Sequence, residues 1–482
     1  MLTAWWRARD VLAGEDVVKA RGERYLLRLA TMSDDEYAAY LARACLFNAT
    51  ARTSAALQGL VFRKPAEVKL PENAGTAAFV EDVDLAGTEL EDWCRWVVAE
   101  VVGLGRCGTL VDWCDAESRA YVANYGAEAI LNWQVTRRHG RAVLALVVLE
   151  ETAEEPGDDE FNPQTVAQWR VLRLEPEGCA VELWRRRDSA RQPATGQSSS
   201  PEDDWVLVER REPRRRGQRL PFLPFVFHGP RHARPEVDKL PLADLIAVNL
   251  DHYRLDAEYK HGLHFTALPT AWVAGFDKKA VLNIGSSAAW VSETPGSSAG
   301  FLEFKGQGLG SFVTALERDE RQMAALGARM LQAEKRVGET VETIELRQSG
   351  ENSVLGHLVT SVSASLTHAL QLVAWWQGLG ELPGEVTAAQ ACLALNTDFS
   401  TRGLTAQELT ALVSVWQAGA ISRETLLETL RRGEVIPEIR TNAEELALIQ
   451  AEARQPAAHS GEATPQTNPA SSGGVPPADR IS

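Results

Sequence analysis

The stretch GENSVLGHLVTSVSASLTHAL, residues 350–370, has the apolar spacing of a long α-helix. Its apolar residues recur at intervals of three or four and form one stripe: Leu355, Leu358, Val359, Val362, Leu366, Leu370 and, beyond the stretch, Val373. The rest of the helix carries mostly serine, threonine and histidine and very little charge. The stripe predicts that this helix is held firmly to the rest of its own chain.

The composition sets limits on the class of protein. The 482 residues are 45% hydrophobic, which suffices for a sizeable core and excludes global disorder. A chain of this length has room for about two to four domains or for one large, elongated fold. The net charge of -16 argues against tight wrapping of nucleic acid, which needs clustered Lys and Arg. It suits a surface to which DNA does not adhere.

Cysteine usage and the apolar runs predict a soluble intracellular protein. The six cysteines include no CxxC pair, so we expect reduced thiols in a cytosol. The N-terminal MLTAWWRARDVLAGEDVVKA alternates charged with apolar residues, unlike a signal peptide. The longest apolar run that we identify, AVLALVVL at 142–149, is far shorter than the roughly 18 residues of a membrane span. We therefore expect no membrane partner.

The pattern along the chain predicts an α+β fold. Residues 1–60 and about 90–102 have helical spacing, with Ser33 and Asp34 as capping residues. From Gly108 the period becomes that of antiparallel strands, in the segments TLVDW, AYVANY, AVLALVVLE, QWRVLRLE, AVELWRRR and WVLVERRE. A helix is expected after Leu240 and another from Leu309. Between them, AAWVS and GFLEF predict two strands around a turn. Shorter helices follow the stretch at 350–370, and the Pro-rich residues 455–482 are expected to be disordered.

Motifs that carry chemistry have stronger structural interpretations. GLGRCG, with Gly103, Gly105 and Gly108, fits a GxGxxG pattern, but a helix precedes it and a strand follows, so we expect a helix stop. Glu258, His261 and His264 have the spacing of half a di-metal site without its second Glu-x-x-His, and we expect solvated helix residues. His357 and His368 would lie about 16 Å apart on one helix face, too far to share a metal. No catalytic residue, metal or cofactor is predicted.

Arginines form one basic concentration, at residues 185–187, 210, 211 and 214–216. Arg185, Arg186, Arg187, Arg214, Arg215 and Arg216 are a candidate contact patch for nucleic acid or a partner. The alternative is an exposed hairpin whose charge is offset by the interleaved Glu209 and Glu212.

The order of the elements resembles that of the portal proteins of tailed double-stranded DNA phages. GRCGTLVDWCDAESRAYVANYGAEAILNW resembles their wing, and LPFVFHGP with KLPLADLIAVNLDHYRLDAEYKHGLHFTALPTAWVAGF resembles their first stem helix and its lead-in. SGENSVLGHLVTSVSASLTHAL and SRETLLETLRRGEVIPE are similar to later portal helices. RARDVLAGEDVVKARGERYL and FNATARTSAALQGLVFRKP look like a portal-like branch catalogued as a domain of unknown function. The likeness covers roughly residues 1–450.

The resemblance implies a ring of about twelve copies at one capsid vertex, through which double-stranded DNA enters and leaves. Its partners would be the major capsid protein, the terminase large subunit and head–tail adaptor proteins, with non-specific DNA contact. The protein would lie in the virion, and in the host cytoplasm during assembly. The portal parts would be a wing (1–235), a stem helix (236–275), a clip (276–308), a second stem helix (309–333), a tunnel loop (334–349), a long wing or crown helix (350–384), a helical crown (385–454) and a tail (455–482).

The resemblance also implies roles for individual residues. Lys335, Arg336, Glu339 and Arg347 would face DNA in the tunnel loop, where the two adjacent cations would touch phosphates weakly. Small residues of the long helix, Ser361, Ser363, Ala364 and Ser365, would let other helices or a neighbouring subunit come close. The alternative for these four is a core helix with a solvated serine-rich edge.

Two other classes stay open on the sequence. One is a structural adaptor or scaffold protein of a phage or prophage that forms no ring, and the oligomeric state distinguishes it from a portal. The other is an intracellular enzyme, which would need an activity that depends on His261 or His264.

Overall fold

The structure is a computed structural model, and it describes residues 1–138, 140–155, 164–186, 205–266, 270–276, 290–291, 293–302, 308–331, 353–399, 406–432, 435–436 and 440–454. The chain divides into two compact units, Met1–Phe399 and Ser400–Ser482. The tunnel loop predicted at 334–349, most of the clip at 276–308 and the tail at 455–482 lie outside the described residues.

The first unit contains nine helices and fourteen strands within its described residues. Its helices are α1 (Leu2–Ala13), α2 (Glu15–Ala20), α3 (Asp34–Arg43), α4 (Ala49–Val61), α5 (Ala74–Glu81), α6 (Leu90–Leu104), α7 (Ala243–Thr266), α8 (Leu309–Arg329) and α9 (Val354–Trp376). Its strands are β1 (Glu67–Lys69), β2 (Cys107–Cys114), β3 (Arg119–Gly126), β4 (Ile130–Arg138), β5 (Arg141–Glu155), β6 (Gln164–Glu175), β7 (Gly178–Arg186), β8 (Trp205–Arg211), β9 (Arg214–Arg215), β10 (Gln218–Arg219), β11 (Phe225–His228), β12 (Thr270–Ala274), β13 (Ser298–Leu302) and β14 (Cys392–Ala394).

Local signals set the helix ends where the sequence predicts them. Ser33 caps α3 and forms a reciprocal capping box with Glu36. The helix α6 ends at Gly105, whose left-handed φ of 74° suits glycine, and β2 begins two residues later. The GLGRCG motif is therefore a helix stop before a strand, as predicted.

The strands form antiparallel sheets, and the predicted α+β class is confirmed. A three-stranded sheet has the order β11-β2-β3, and a five-stranded meander has the order β4-β5-β6-β7-β8. Strand β4 is absent from the segments that the sequence pattern predicts as strands. That strand lies at the edge of its sheet and has two register irregularities, so its apolar residues do not alternate regularly.

The helix α9 lies in the core of the first unit. It packs against β11, β2, β14 and α6, and every residue of the predicted stripe is buried. Among the described residues it is the one helix long and apolar enough to cross a membrane by length and composition. Most of its apolar window is buried inside the protein, so it is a core helix. Its burial explains the low charge that the sequence shows.

Helices α7 and α8 pack against each other as an antiparallel pair. A Cβ atom at Gly262, near the end of α7, would lie 2.9 Å from Leu309 at the start of α8. Ten residues earlier, His252 Nε2 lies 3.6 Å from Glu320 Oε1. The two helices lie inside the ranges 236–275 and 309–333 predicted for stem helices.

A two-stranded ribbon of β12 and β13 lies between α7 and α8 in the chain. The pairing differs from the prediction, because β13, which includes the start of GFLEF, pairs with Thr270–Ala274 rather than with AAWVS. Trp290 and Val291, the described part of AAWVS, are not in a strand. The segment TAWVA is itself rich in β-forming residues and follows α7 closely, and it pairs with β13 across a longer connection than AAWVS would need.

The predicted crown begins at residue 385, whereas the boundary between the two compact units lies between Phe399 and Ser400. The strand β14 pairs with β1, and Leu393 and Leu395 are buried in the core of the first unit, which extends to Phe399. The second unit contains α10 (Ala406–Gln417), α11 (Arg423–Arg432) and α12 (Asn442–Arg454). Leu426, Leu427 and Ile436 are its buried apolar residues among those described.

The central position of α9 predicts a large difference between two truncations on the same helix. Leu366→Ala removes a fully buried side chain and should lower the free energy of unfolding of the first unit by about 2–5 kcal/mol. Val354→Ala, at an exposed position, should cost far less. Denaturant titration measures both values, and equal losses would contradict the core position of α9.

Candidate functional site

A buried polar network joins α9 to the three-stranded sheet. His228, the last residue of β11, has its Nδ1 2.7 Å from the Ser365 hydroxyl oxygen of α9 and its Nε2 2.9 Å from the Thr109 hydroxyl oxygen of β2. Thr109 donates to Asn124 Oδ1 of β3 at 3.0 Å, and the Trp93 indole of α6 donates to the same oxygen at 2.8 Å. Four elements around α9 are thus tied by side chains in the core.

The network contains a serine and a histidine within hydrogen-bond distance, which is also the first requirement of a nucleophilic catalytic site. Both residues are fully buried, at 0% exposure. Burial lowers the pKa of His228 to about 3, so the imidazole is neutral at physiological pH and a poor base. Its second nitrogen meets a threonine hydroxyl rather than the carboxylate of a catalytic triad. The arrangement suits internal bonding of α9 rather than nucleophilic catalysis.

The hydroxyl groups of α9 bond to the chain's own backbone and side chains. Ser361 donates to Gly229 O at 2.8 Å, and the Ser363 oxygen accepts from Leu395 N at 3.0 Å. Thr367 exchanges two hydrogen bonds with Leu393 of β14, at 2.9 and 3.0 Å. These hydroxyl groups bond to backbone N–H and C=O groups of β14 and of the residues just after β11 and β14. A neighbouring strand would otherwise have to bond to those backbone groups.

The four residues predicted to pack against another subunit differ in exposure, from fully buried to exposed. Ser365 is fully buried, so the expectation that a neighbouring subunit approaches it is corrected. Ser363 is half-buried under Leu395, and Ser361 is half-buried against Gly229. Ala364 is exposed and shares one face of α9 with His357 and His368, which are also exposed. This face, His357–Ser361–Ala364–His368, is called the α9 seam below.

The candidate basic patch is divided in the structure. Arg186 pairs with Trp205 at one end of the β7–β8 ladder, whereas Val181 pairs with Arg211 next to β9 at the other end. Five residues of strand place the two ends about 17 Å apart. Arg185 donates to Gln168 Oε1, and Arg187 lies outside the described residues.

The other half of the patch contacts the turn that follows α9. Arg215 donates to Gly380 O and stacks on the Trp375 ring, 4.5 Å from its centroid. Arg216 pairs with Glu381 at 2.7 Å, and Arg214 pairs with Glu212 at 2.8 Å. The Arg214–Glu212 pair is of the kind that the alternative of a charge-offset hairpin predicts, whereas Arg215 and Arg216 contact the turn after α9, which the sequence did not predict.

The other singled-out residues hold positions in helices. His261 packs edge-on against Tyr40 and lies 3.3 Å from Arg43, so it joins α7 to α3. In the part of the chain that is described, no group of three His, Cys, Asp or Glu side chains could hold a metal ion. Lys335, Arg336, Glu339 and Arg347 lie outside the described residues, and their role stays a prediction.

The β12–β13 ribbon presents aromatic surface. Trp272 lies across Gly300 on the facing strand and is 42% exposed, and Phe301 is 54% exposed. The ring of Trp290 lies 6.0 Å from that of Phe301, and Val291 is almost fully exposed. A two-stranded ribbon is marginally stable in water, and exposed aromatic surface marks a contact site. The ribbon is the strongest candidate interaction surface among the described residues.

Comparison with known protein families gives a match for part of the chain. Residues 241–377, just over a quarter of the chain, match the model of a domain of unknown function, DUF4055. The matched range includes α7, the ribbon, α8 and α9. No curated protein matches the chain.

Solved structures that match include subunits of gene transfer agent particles. One is from the neck of an empty particle computed with C6 symmetry, and one is from the virion of the native particle. Each is 13% identical, with a TM-score of 0.38, over 87% of this chain and 98% of the other. A chain from the native neck computed with C12 symmetry has 12% identity and a TM-score of 0.32. TM-scores of this size do not establish a shared fold.

The buried histidine predicts a specific acid sensitivity. The unfolded chain takes up a proton on His228 below about pH 6.5, whereas the folded chain does so only near pH 3. Stability should therefore fall as the pH drops through this window, and His228 should account for about 2 kcal/mol of the loss by pH 5.

Urea unfolding of wild type and His228→Asn between pH 7 and 4 measures this contribution. The variant should be less stable at pH 7 but lose less stability on acidification. His357→Asn, at an exposed position of α9, should follow the wild-type pH profile. An unchanged slope in His228→Asn would show that the histidine is not buried neutral.

Proposed function

We propose that the protein is a structural subunit of a phage-like particle, a portal protein that forms a ring at the capsid vertex where the tail attaches. Double-stranded DNA passes through the channel of this ring during packaging and ejection. The proposal rests on the resemblance in element order and on the geometry of α7, the ribbon and α8. It assigns no catalytic residue, metal or cofactor.

The observation that carries the proposal is the exposure of α8. This 21-residue helix buries only Asp319 and Met323 and packs chiefly against α7. A long helix held along one side leaves an exposed surface, on which Val313 lies among charged residues such as Glu317 and Arg321. In a closed ring, the helix pairs of neighbouring subunits lie side by side. Each pair then covers the lateral surface of the next, and one face of every pair stays exposed to solvent.

The charge of the helix pair supports a passage for DNA. Helices α7 and α8 together carry seven carboxylates and five cationic side chains. A nearly balanced, slightly acidic lining does not hold phosphates tightly, so DNA can move along it. Lys335 and Arg336 of the predicted tunnel loop would add weak, non-specific phosphate contacts. In this proposal residues 334–349 are that loop.

The ribbon is the proposed docking end of the subunit. Exposed Trp272, Phe301 and Val291 supply apolar surface that a partner can bury. In the proposed assembly the terminase large subunit and later the head–tail adaptors bind there in turn. The α9 seam, with Ala364 at its centre, is a second surface through which neighbouring subunits or the capsid protein approach the body.

The same ribbon also suits a second candidate, a phage or prophage adaptor that forms no ring. An adaptor needs one exposed apolar surface and no repeated contact around a closed circle. Oligomeric state separates the two functions, because only the portal requires about twelve copies.

Mass photometry and negative-stain microscopy of the purified full-length protein test the proposal. We expect rings with a central hole and a mass about twelve times the 52.8 kDa of one chain. Assembly should depend on the α9 seam, so Ala364→Trp should reduce the ring fraction at unchanged stability of the folded chain.

Ala77→Trp, at an exposed position of α5 that is not part of the α9 seam, is the matched control and should assemble as wild type. A monomer at all concentrations, with and without capsid protein and scaffold, would contradict the portal proposal. A stable dimer would favour the adaptor. Normal rings of Ala364→Trp would remove the α9 seam from the assembly contact.

A further inference from the structure

Arg106 is a buried cation at the junction of α6 and β2. It follows Gly105, the residue that ends α6, and it precedes Cys107, the first residue of β2. Only 3% of the residue is exposed. The carbon of its guanidinium group lies 3.9 Å from the ring centroid of Trp133 and 4.6 Å from that of Phe227. The aromatic rings of two different sheets therefore hold the cation.

The nitrogen atoms of Arg106 are buried without hydrogen-bond acceptors. Within the described residues, Nε and both Nη atoms have no hydrogen-bond partner. Contact with aromatic rings stabilises a guanidinium through its charge, but it does not supply acceptors for the five N–H groups, which lie in the guanidinium plane. Leaving such donors unpaired in a protein interior is costly.

The other arginines with little exposed surface behave differently. Arg119 pairs with Asp82 at 2.6 Å, and Arg170 pairs with Glu151 at 2.6 Å. Burial lowers the pKa of Arg106 to about 10, and the nearby Cys107 and Glu236 oppose this shift only in part. Arg106 thus stays charged at neutral pH, and its in-plane donors meet no carboxylate in the part of the chain that the structure describes.

The segment that packs against the neighbouring Gly105 carries an acid. Residues 229–242 connect β11 to α7, and a Cβ atom at Gly105 would lie 3.2 Å from Pro241 and 3.4 Å from Leu240 of that connection. Glu236 of the same segment is exposed, and its charge is close enough to favour the protonated form of Arg106. Glu236 is thus an acid close to a guanidinium that has no acceptor among the described residues.

We propose that Arg106 is the receptor of an oxyanion site, in which the guanidinium held by Trp133 and Phe227 binds a carboxylate or phosphate group through two parallel hydrogen bonds in its plane. The fork of N–H donors matches the spacing of two oxyanion oxygens, and the rings fix its orientation beforehand. The oxyanion has two sources, the Glu236 carboxylate of the chain itself or a free phosphate-type anion. This inference is independent of the portal proposal.

Thermal unfolding of the full-length protein at constant ionic strength tests the site and separates the two sources. Wild type, Arg106→Met, Arg106→Lys and Glu236→Gln are compared in sodium chloride and in inorganic phosphate at the same pH. A free-anion site predicts that phosphate raises the Tm of wild type by about 2–4 °C at saturation and that neither Arg106 variant responds. Arg234→Gln, which removes an exposed cation from the same connection, should keep the response.

A Glu236 site predicts a different pattern. Wild type would be insensitive to phosphate, Glu236→Gln would have a lower Tm, and phosphate would restore part of the loss in that variant. Arg106→Met would be destabilised, and combining it with Glu236→Gln would add no further loss. These comparisons remain decisive if Arg106→Met does not fold, because the phosphate response of wild type and Glu236→Gln is measured independently.

The absence of an oxyanion site predicts a different stability for Arg106→Met. If Arg106 binds no oxyanion, its replacement by an apolar side chain of similar size relieves an uncompensated buried charge. Arg106→Met would then be as stable as wild type or more stable. Together with a Tm that does not respond to phosphate in wild type or in Glu236→Gln, that result would overturn the proposal.

Discussion

The hydrogen bond between His228 of β11 and Ser365 of α9 is the contact on which the body of this protein depends. It fixes a long apolar helix at one rotation and one depth against a three-stranded sheet. An apolar stripe alone allows a helix to slide or rotate within a core of similar side chains. A buried histidine that must find both a serine and a threonine allows one arrangement, since any shift leaves polar atoms unpaired.

The same constraint explains the unusual composition of α9. Its hydroxyl groups reach the backbone of β14 and of the residue after β11, so they satisfy strand edges inside the fold. Charged side chains at these positions would need solvent, and larger ones would push the strands away. Serine and threonine are small enough to lie in the contact and polar enough to complete it. Ala364, on the outer side, is small without bonding to anything, which leaves the α9 seam open to a neighbour.

The sequence predicted the parts of the fold that local spacing controls. The helix α6, its stop at Gly105 and the apolar stripe of α9 follow from residues close together in the chain. The sequence did not predict contacts between residues that lie far apart in the chain. Ser365 and His228 are 137 positions apart, and no local pattern shows that a serine on an apolar helix will meet a histidine at the end of FVFH. The ribbon pairing was assigned to AAWVS because a nearby turn suggested a hairpin, whereas TAWVA across a longer connection forms it.

The unit Met1–Phe399 combines a body whose polar groups are largely bonded within the chain with α8 and a ribbon, both of which expose much of their surface. The first property gives a rigid support, and the second gives surfaces that other molecules can cover. A subunit that repeats around a ring and receives successive partners needs both. In the proposed function, α3 and α4 of the body hold α7 while the ribbon meets the partners.

Amide hydrogen exchange resolved by mass spectrometry shows whether α9 is the most firmly held element of the body. We expect peptides from α9, β2 and β11 to exchange last and only through global unfolding, whereas peptides from α8 and the ribbon exchange early in the unassembled chain. Exchange of α9 peptides as fast as that of α8 would contradict this expectation, because the helix would then be held by no specific core contact.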